Sequence, residues 1–279
     1  MTDRQEGVLL LLPGLLLVAL AFFVPILQML AFSVQGTDPE TGARILTTEQ
    51  FTRFLSDPFY RGVLWRTVRL SFIITALCVL IGFPMAYIMA RVGPRARLWL
   101  IVIVILPLMT SVVVRTFGWM VVLSRNGLIP SFLRDLDLVG RSYAIMYTEL
   151  AIVIGMVQVL LPFMTLSILG VILRIDPRLE EAARTMGCSF GQSLGRVVLP
   201  LSVPGIVAGS LLVFTLSASS FITPNLLGGP RVQVLAASIW RNVTQTLDWP
   251  FAAAQGVILF VGVLLILLPY IRLARRAHG

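Results

Sequence analysis

Six long apolar segments alternate with polar ones along the 279-residue chain. A helix rises about 1.5 Å per residue, so roughly 20 apolar residues are needed to cross the hydrocarbon layer of a bilayer, which is about 30 Å thick. Each segment reaches this length, and the pattern predicts an all-α, polytopic membrane protein with about six transmembrane helices. The predicted spans are 8–32, 70–90, 98–123, 143–173, 197–219 and 251–273.

The first apolar segment runs from Val8 to Phe32. It is too long for the core of a signal peptide, which has about 7–15 residues, and no small-x-small cleavage pattern follows it. We therefore expect this segment to be retained as a membrane anchor.

Composition supports the membrane prediction and excludes several classes of function. Hydrophobic residues make up 57% of the chain and charged residues only 13%, whereas soluble domains have about 25% charged residues. All 22 basic residues are Arg, which excludes a Walker A loop because that loop needs a Lys. The single histidine, His278, and the two cysteines, Cys78 and Cys188, are too few for a histidine base, a disulfide framework or a zinc site. We expect no catalytic site, cofactor or metal in this chain.

The distribution of Arg predicts how the chain is oriented in the bilayer. The N-terminus and segments 91–97, 174–196 and 274–279 hold ten Arg in 43 residues. The opposite connecting segments also hold ten, but these are spread over 87 residues and mixed with acidic residues. The denser set is expected on the cytoplasmic side, together with both termini, although the raw totals are equal. Because these Arg flank apolar spans, the net charge of +9 does not indicate nucleic-acid binding.

The connecting segment 174–196 carries the most local information. An Asp-Pro pair at 176–177 is typical of a helix start, and Gly187 is typical of a helix end. Ser189 and Gln192 have the spacing of a capping box, which predicts a second short helix. On these residues alone, the segment is either a connection between two spans or a surface that another protein approaches closely.

The residues of this loop resemble the EAA loop in the membrane subunits of bacterial ATP-binding cassette (ABC) importers. That pattern is Glu-Ala-Ala, three residues, Gly, nine residues, an aliphatic residue, one residue and Leu-Pro. The chain matches every defined position, with Val where Ile is usual, at Glu181, Ala182, Ala183, Gly187, Val197, Leu199 and Pro200. The resemblance implies that residues 174–200 form a cytoplasmic coupling loop, whose EAA motif and Gly187 dock on an ATPase.

The resemblance extends over essentially the whole chain. The opening LLPGLLLVALAFFVPILQML, VRTFGWMVVLSRNGLI at 114–129, FITPNLLGGP at 221–230 and DWPFAAA at 248–254 are similar to permeases of the spermidine/putrescine branch of type I ABC importers. This implies a MetI-like permease fold, with residues 1–279 forming a single transmembrane domain in the bacterial inner membrane.

The same resemblance implies a set of partners. They are two ATPase subunits that bind and hydrolyse ATP, a second permease subunit that is expected to be a related chain in a heterodimer, and a periplasmic substrate-binding protein. The implied mechanism is alternating access, in which ATP-driven closure of the ATPases is carried through the EAA loops to the paired permeases.

The substrate is less constrained than the class of protein. The resemblance favours a polyamine such as spermidine or putrescine, whereas an opine, an amino-acid derivative or another small polar solute is the alternative. An ion-coupled secondary transporter is less favoured, because it would need intramembrane acids or discontinuous helices arranged as repeated halves.

Two charged residues within predicted spans are candidates for a pathway or a gate. Arg115 lies 17 residues into the third span, about 26 Å along the helix and therefore towards the outer interface. Glu149 lies six residues into the fourth span, which begins on that same side. Either the two side chains pair at similar depth, or Arg115 extends to the lipid headgroups.

Overall fold

The structure, a computed structural model, describes residues 3–37, 44–140 and 143–276, with side chains for 12–36, 45–140 and 143–268. His278 lies outside these residues, as do the side chains of Arg4, Arg275 and Arg276. The helices are α1 (Asp3–Ser33), α2 (Glu49–Ser56), α3 (Pro58–Arg91), α4 (Pro94–Ile105), α5 (Val112–Leu123), α6 (Leu128–Asp135), α7 (Glu149–Ile172), α8 (Arg178–Thr185), α9 (Phe190–Ser193), α10 (Leu199–Ser219), α11 (Ile222–Gly228), α12 (Leu235–Thr244) and α13 (Trp249–Arg276). Two strands, β1 (Gln35–Thr37) and β2 (Arg44–Leu46), pair antiparallel with Gly36 opposite Ile45.

Six stretches within the described residues are helical, long and apolar enough to cross a membrane, which confirms the predicted fold class. Five of them overlap predicted spans but begin or end at other residues. The third predicted span, in contrast, is not one continuous helix. The stretches are Leu12–Ser33, Pro58–Arg91, Val112–Asp135, Glu149–Ile172, Phe190–Ser219 and Trp249–Leu268.

The predicted continuous helix over 98–123 is wrong. α4 stops at Ile105, a 3₁₀ turn occupies Leu106–Met109, and α5 starts at Val112. Pro107 lies in this turn and has no N–H to donate to the preceding turn of helix. Thr110 then donates both its N–H and its hydroxyl to the Pro107 carbonyl, at 3.3 and 2.8 Å, and this ends the helical run.

The predicted starts of two spans were also wrong. α3 begins at Pro58 rather than 70, because Arg66 and Arg69 are held by polar partners and do not end the helix. The fourth span begins at Glu149 rather than 143, because the Thr148 hydroxyl caps the helix by accepting the Ala151 N–H at 3.3 Å.

The contacts divide the chain into two compact units. The first comprises the residues up to Arg61 together with Ser238–Val261. In it the Tyr60 ring contacts the Phe54 and Phe251 rings, and Arg53 pairs with Asp248 at 2.9 Å. The second comprises Gly62–Ala237 and the end of α13. The single permease domain over 1–279 stays a prediction.

The core of the second unit is built around α7. Half of the most apolar stretch of this helix is buried, whereas none of the most apolar stretch within Leu12–Ser33 is. Gly205 and Gly209 on α10 allow close approach, since a Cβ on Gly205 would lie 3.1 Å from backbone atoms of α7. Ser167 of α7 donates to the Gly205 carbonyl at 3.0 Å. Small residues and hydroxyl hydrogen bonds are what membrane helices use to associate, because lipid supplies no hydrophobic drive.

Candidate functional site

The EAA loop, residues 174–200, contains the two short helices that the sequence predicts. The Asp176 carboxylate accepts the Arg178 N–H at 3.0 Å, and α8 follows directly. Ser189 and Gln192 form the predicted capping box, with reciprocal hydrogen bonds of 3.3 and 3.0 Å, and α9 begins at Phe190. The two short helices and the capping box are confirmed, whereas the predicted start of α8 is one residue early, because Pro177 and not Asp176 is at the N-cap position.

Gly187 separates the two helices and has φ +92°. This is the left-handed region, which glycine adopts without the steric cost that a Cβ brings. Its N–H donates to the Arg184 carbonyl at 3.0 Å, and the Cys188 N–H donates to the Ala183 carbonyl at 3.1 Å. These bonds satisfy carbonyl groups at the end of α8, as a helix C-terminus requires.

The Glu-Ala-Ala motif is divided between two faces of α8. Ala183 is only 5% exposed and packs inward, whereas Glu181 and Ala182 are exposed. Two large apolar side chains of the same loop are also exposed, Met186 at 80% and Phe190 at 54%. This loop therefore exposes a Met and an aromatic side chain, residue types that are enriched at protein interfaces.

Glu180, immediately before the motif, fixes the loop to α3. Its carboxylate accepts the Tyr87 hydroxyl at 2.8 Å and forms an ion pair with Arg91. The Glu180 side chain is 13% exposed, so these interactions are largely shielded from water. Phe190 of α9 packs against the edge of the Tyr87 ring, 6.0 Å between centroids. We name this group the Glu180 anchor: Tyr87, Arg91 and Glu180.

Sequence reasoning missed the Glu180 anchor. The position of Glu180 in the first turn of α8 suggested only an interaction with the helix dipole. Its two partners lie about 90 residues earlier in the chain, and no local pattern links them. The one available sign in the sequence is that Tyr87 and Arg91 lie one helical turn apart near the end of α3.

A π-turn over Leu194–Val198 joins α9 to α10. Val197 is half-buried and Leu199 is 40% exposed at this junction. Pro200 follows directly at the start of α10 and has no N–H to donate to the preceding turn. The backbone is helical from Phe190 to Ser219, so the second part of the loop is the beginning of the fifth span.

Glu149 pairs with α3 and not with Arg115. Its carboxylate lies 3.3 Å from Arg66 Nε and also contacts Arg69. Arg115 instead donates to the Thr110 carbonyl at 3.0 Å. The predicted alternative of an Arg115–Glu149 pair is wrong, because the break before α5 supplies a carbonyl group within reach of Arg115. A role of either residue in a pathway or gate stays a prediction.

Within the residues that the structure describes, no three His, Cys, Asp or Glu side chains come together as a metal site requires. The polar clusters instead consist of ion pairs and helix caps. The described residues therefore define a polytopic helical membrane protein with a two-helix loop between its fourth and fifth candidate spans.

Comparison with known proteins agrees with this class. The chain matches the family described as "Binding-protein-dependent transport system inner membrane component" over residues 78–278. It is 37% identical to the spermidine/putrescine transport system permease protein PotB of Haemophilus influenzae, over 91% of this chain and 89% of that one. Identity to the protein of the same name in Escherichia coli K12 is 34%, over 91% and 92% of the two chains.

A solved structure has the same fold. A chain of a bacterial ABC transporter that imports the acidic polysaccharide alginate superposes with a TM-score of 0.76 at 21% identity, covering 98% of this chain and 96% of that one. The fold is thus that of an ABC importer permease. The chain belongs to the family of binding-protein-dependent transport system inner membrane components, and it is a membrane-spanning permease subunit.

Proposed function

We propose that the chain is a permease subunit of an ABC importer for polyamines of the spermidine and putrescine type. The observation that carries this proposal is the 37% and 34% identity, over about nine-tenths of both chains, to two permeases named for these solutes. The partners are two ATPase subunits, a second and related permease, and a periplasmic binding protein. Both termini face the cytoplasm, as the density of Arg favours.

The EAA loop is the part that receives motion from the ATPase. Exposed Glu181 and Ala182, with Met186 beside them, form the docking surface, and Ala183 and Gly187 fix its shape. Val197, Leu199 and Pro200 connect this surface to the fifth span. ATP is hydrolysed by the partner subunits, because a chain without Lys has no Walker A loop.

The importer and the substrate are tested together by purification of the tagged chain from its native membrane in mild detergent. We expect an ATPase and a second six-span subunit to co-purify, and the accompanying binding protein to bind spermidine or putrescine. Membranes with the intact system should take up radiolabelled spermidine. Recovery of the chain alone, even after crosslinking through Cys188, would contradict the importer. Recovery of the full complex with a binding protein selective for opines or amino-acid derivatives would contradict only the substrate.

Removal of the Glu149 carboxylate should reduce uptake of a polycation. Glu149 offsets the positive charge of Arg66 and Arg69, and in Glu149→Ala these two cations remain without a nearby counter-charge. Partly exposed ion pairs contribute roughly 1 kcal/mol or less, so we expect a fall in uptake of about threefold to fivefold at normal expression.

The matched control for this prediction is Glu49→Ala, which removes an exposed carboxylate from the first turn of α2. Arg115→Ala tests the other charged candidate in the same assay. If Glu149→Ala and Arg115→Ala both transport like the wild type, neither residue lines a pathway or gate.

A further inference from the structure

The break between α4 and α5 lies directly before the third candidate span of the structure, Val112–Asp135. Irregular backbone inside a membrane protein is tolerated only where it is buried in protein or lines a hydrated cavity, because its polar groups need partners. Pro107, in the 3₁₀ turn of the break, lines an open cavity of about 600 Å³. The position of the break therefore directs attention to this cavity.

Two polar side chains meet in the same cavity. Trp119 of α5 donates its indole N–H to the Gln158 side-chain oxygen of α7 at 3.4 Å, and both residues line the cavity. Gln158 is the tenth residue of α7, about 14 Å along that helix and so near the middle of a span. An amide at this depth is costly unless it is paired or functional. Its oxygen has two lone pairs, and the long bond from Trp119 leaves one available.

The remaining wall of this cavity is aliphatic. Leu77, Ile81, Val153 and Leu161 are among the residues that form it, and no carboxylate lines it. We name this space the Gln158 cavity, defined by Leu77, Pro107, Trp119, Val153, Gln158 and Leu161. It combines apolar walls with one carbonyl acceptor and one indole ring.

A second groove in the same unit provides a comparison. It has a volume of about 410 Å³ and is lined by Thr75, Ala76 and Val79 of α3 together with residues of α10 and α13. Both volumes are within the roughly 300–1,000 Å³ of small-molecule sites, so volume does not distinguish them. The second groove has no helix break, and its Thr75 hydroxyl is already engaged with the Ser71 carbonyl at 2.7 Å.

We infer that the Gln158 cavity is a transient binding site for an extended aliphatic cation on its way through the permease. Methylene groups of the solute contact the aliphatic walls, and one ammonium group is held by the Gln158 carbonyl and the Trp119 ring. Indole is the best side chain for attracting a cation through its π face. The lack of a carboxylate suits a transit site, because a solute must leave such a site as readily as it enters. This inference rests on the proposed polyamine import.

Two adjacent residues of α3 offer a matched test. Leu77 lines the Gln158 cavity, whereas Ala76, the preceding residue of α3, lines the second groove. The two residues are separated by a rise of only about 1.5 Å along the helix axis. Each is replaced by Cys in the full importer, reconstituted in proteoliposomes, with Cys78→Ala and Cys188→Ser as background. A cationic, membrane-impermeant thiol reagent reacts only where water reaches, because the thiolate is the nucleophile.

We expect Leu77→Cys to react, and spermidine-loaded binding protein with ATP should slow its labelling. At Ala76→Cys, an exposed position in the second groove, spermidine should leave the labelling rate unchanged. No labelling of Leu77→Cys, or equal slowing at both positions, would overturn the assignment of the cavity. Labelling of Leu77→Cys that spermidine leaves unchanged would overturn the aliphatic cation as its ligand. A second pair, Ile154→Cys in the cavity and Val79→Cys in the groove, covers the case in which one variant fails to assemble.

Substitution of the polar pair separates a site from a structural hydrogen bond. Gln158→Leu should lower maximal spermidine uptake about tenfold, and Trp119→Phe, which keeps an aromatic face, should lower it less than Trp119→Leu. Ser210→Ala in the second groove should have no effect. Equal losses in Trp119→Phe and Trp119→Leu would show that only the hydrogen bond matters and would overturn the inference. Failure of the wild-type complex to take up spermidine would instead contradict the proposed function.

Discussion

Replacing Gly187 by Asp is expected to abolish uptake while leaving the permease folded and inserted. Gly187 has φ +92°, a conformation that costs most residues with a Cβ about 1–2 kcal/mol but is more readily adopted by Asp and Asn. Nothing lies within 4 Å of a Cβ at this position, so the substitution causes no steric clash in the isolated chain. The new carboxylate would be desolvated without a partner when the ATPase docks, which costs more than the backbone strain. Uptake of radiolabelled spermidine and co-purification of the ATPase measure the effect.

Two control variants separate the effect of the new charge from the effect of backbone strain. Gly191→Asp places the same carboxylate in the same loop, at the start of α9, where an acid is favourable and the backbone is ordinary helix. Gly187→Asn keeps a residue that tolerates positive φ but carries no charge. We expect Gly191→Asp and Gly187→Asn to retain most of the uptake. Normal uptake in Gly187→Asp at normal expression would contradict the docking role of the loop.

The second large effect is expected from the Glu180 anchor. In Arg91→Ala the Glu180 carboxylate, 13% exposed, loses its cationic partner and keeps only the Tyr87 hydroxyl. Hydrogen bonds to charged groups contribute about 1.5–3 kcal/mol, so α8 should detach from α3 for a substantial part of the time. ATP hydrolysis would then continue while solute uptake falls about tenfold or more. The ratio of solute transported to ATP hydrolysed, measured in proteoliposomes, reports this uncoupling.

The matched control is Arg95→Ala, which removes an exposed Arg from the first turn of α4. Glu180→Gln should behave like Arg91→Ala but more mildly, because the amide still accepts the Tyr87 hydroxyl. The double variant Arg91→Glu with Glu180→Arg should recover part of the coupling, since the ion pair is restored with reversed polarity. An unchanged transport ratio in Arg91→Ala would show that the anchor is not part of the coupling path.

Local features of the structure could be predicted from the sequence because their causes are local. The length of an apolar segment decides whether it can cross a membrane, and this gave six spans. The start of α8, the capping box of α9 and the positive φ of Gly187 each depend on residues within four positions of one another. These are the parts of the EAA loop that the sequence predicted correctly, the start of α8 to within one residue.

The break at Pro107 could not be recognised in the same way. Pro84 and Pro162 also lie within long apolar segments, and α3 and α7 continue through them. A proline ends a membrane helix only when neighbouring groups satisfy the backbone in another arrangement. At Pro107 the Thr110 side chain and the Arg115 guanidinium provide those partners, and both depend on the folded geometry.

Ion pairs between distant segments are the second feature that could not be predicted from the sequence. Arg66 and Arg69 lie 80 or more residues before Glu149, and the sequence gives no sign of which charged residues will meet. Arg115 and Glu149 are closer in sequence and similar in estimated depth, which favoured the wrong partner. Depth alone does not specify the direction in which a side chain leaves its helix.

The π-turn at Leu194–Val198 also governs how permeases of this type can be recombined. A π-turn holds one residue more than a turn of α-helix, and one residue corresponds to about 100° of rotation around the axis. The backbone of α9 and that of the fifth span are therefore held at a fixed rotation relative to each other. A chimera that takes its EAA loop from one permease and its α10 from another keeps this rotation only if the turn is inherited whole. The two sequences should therefore be joined before Phe190 or after Leu199. A junction inside the turn would rotate the transplanted loop relative to α10.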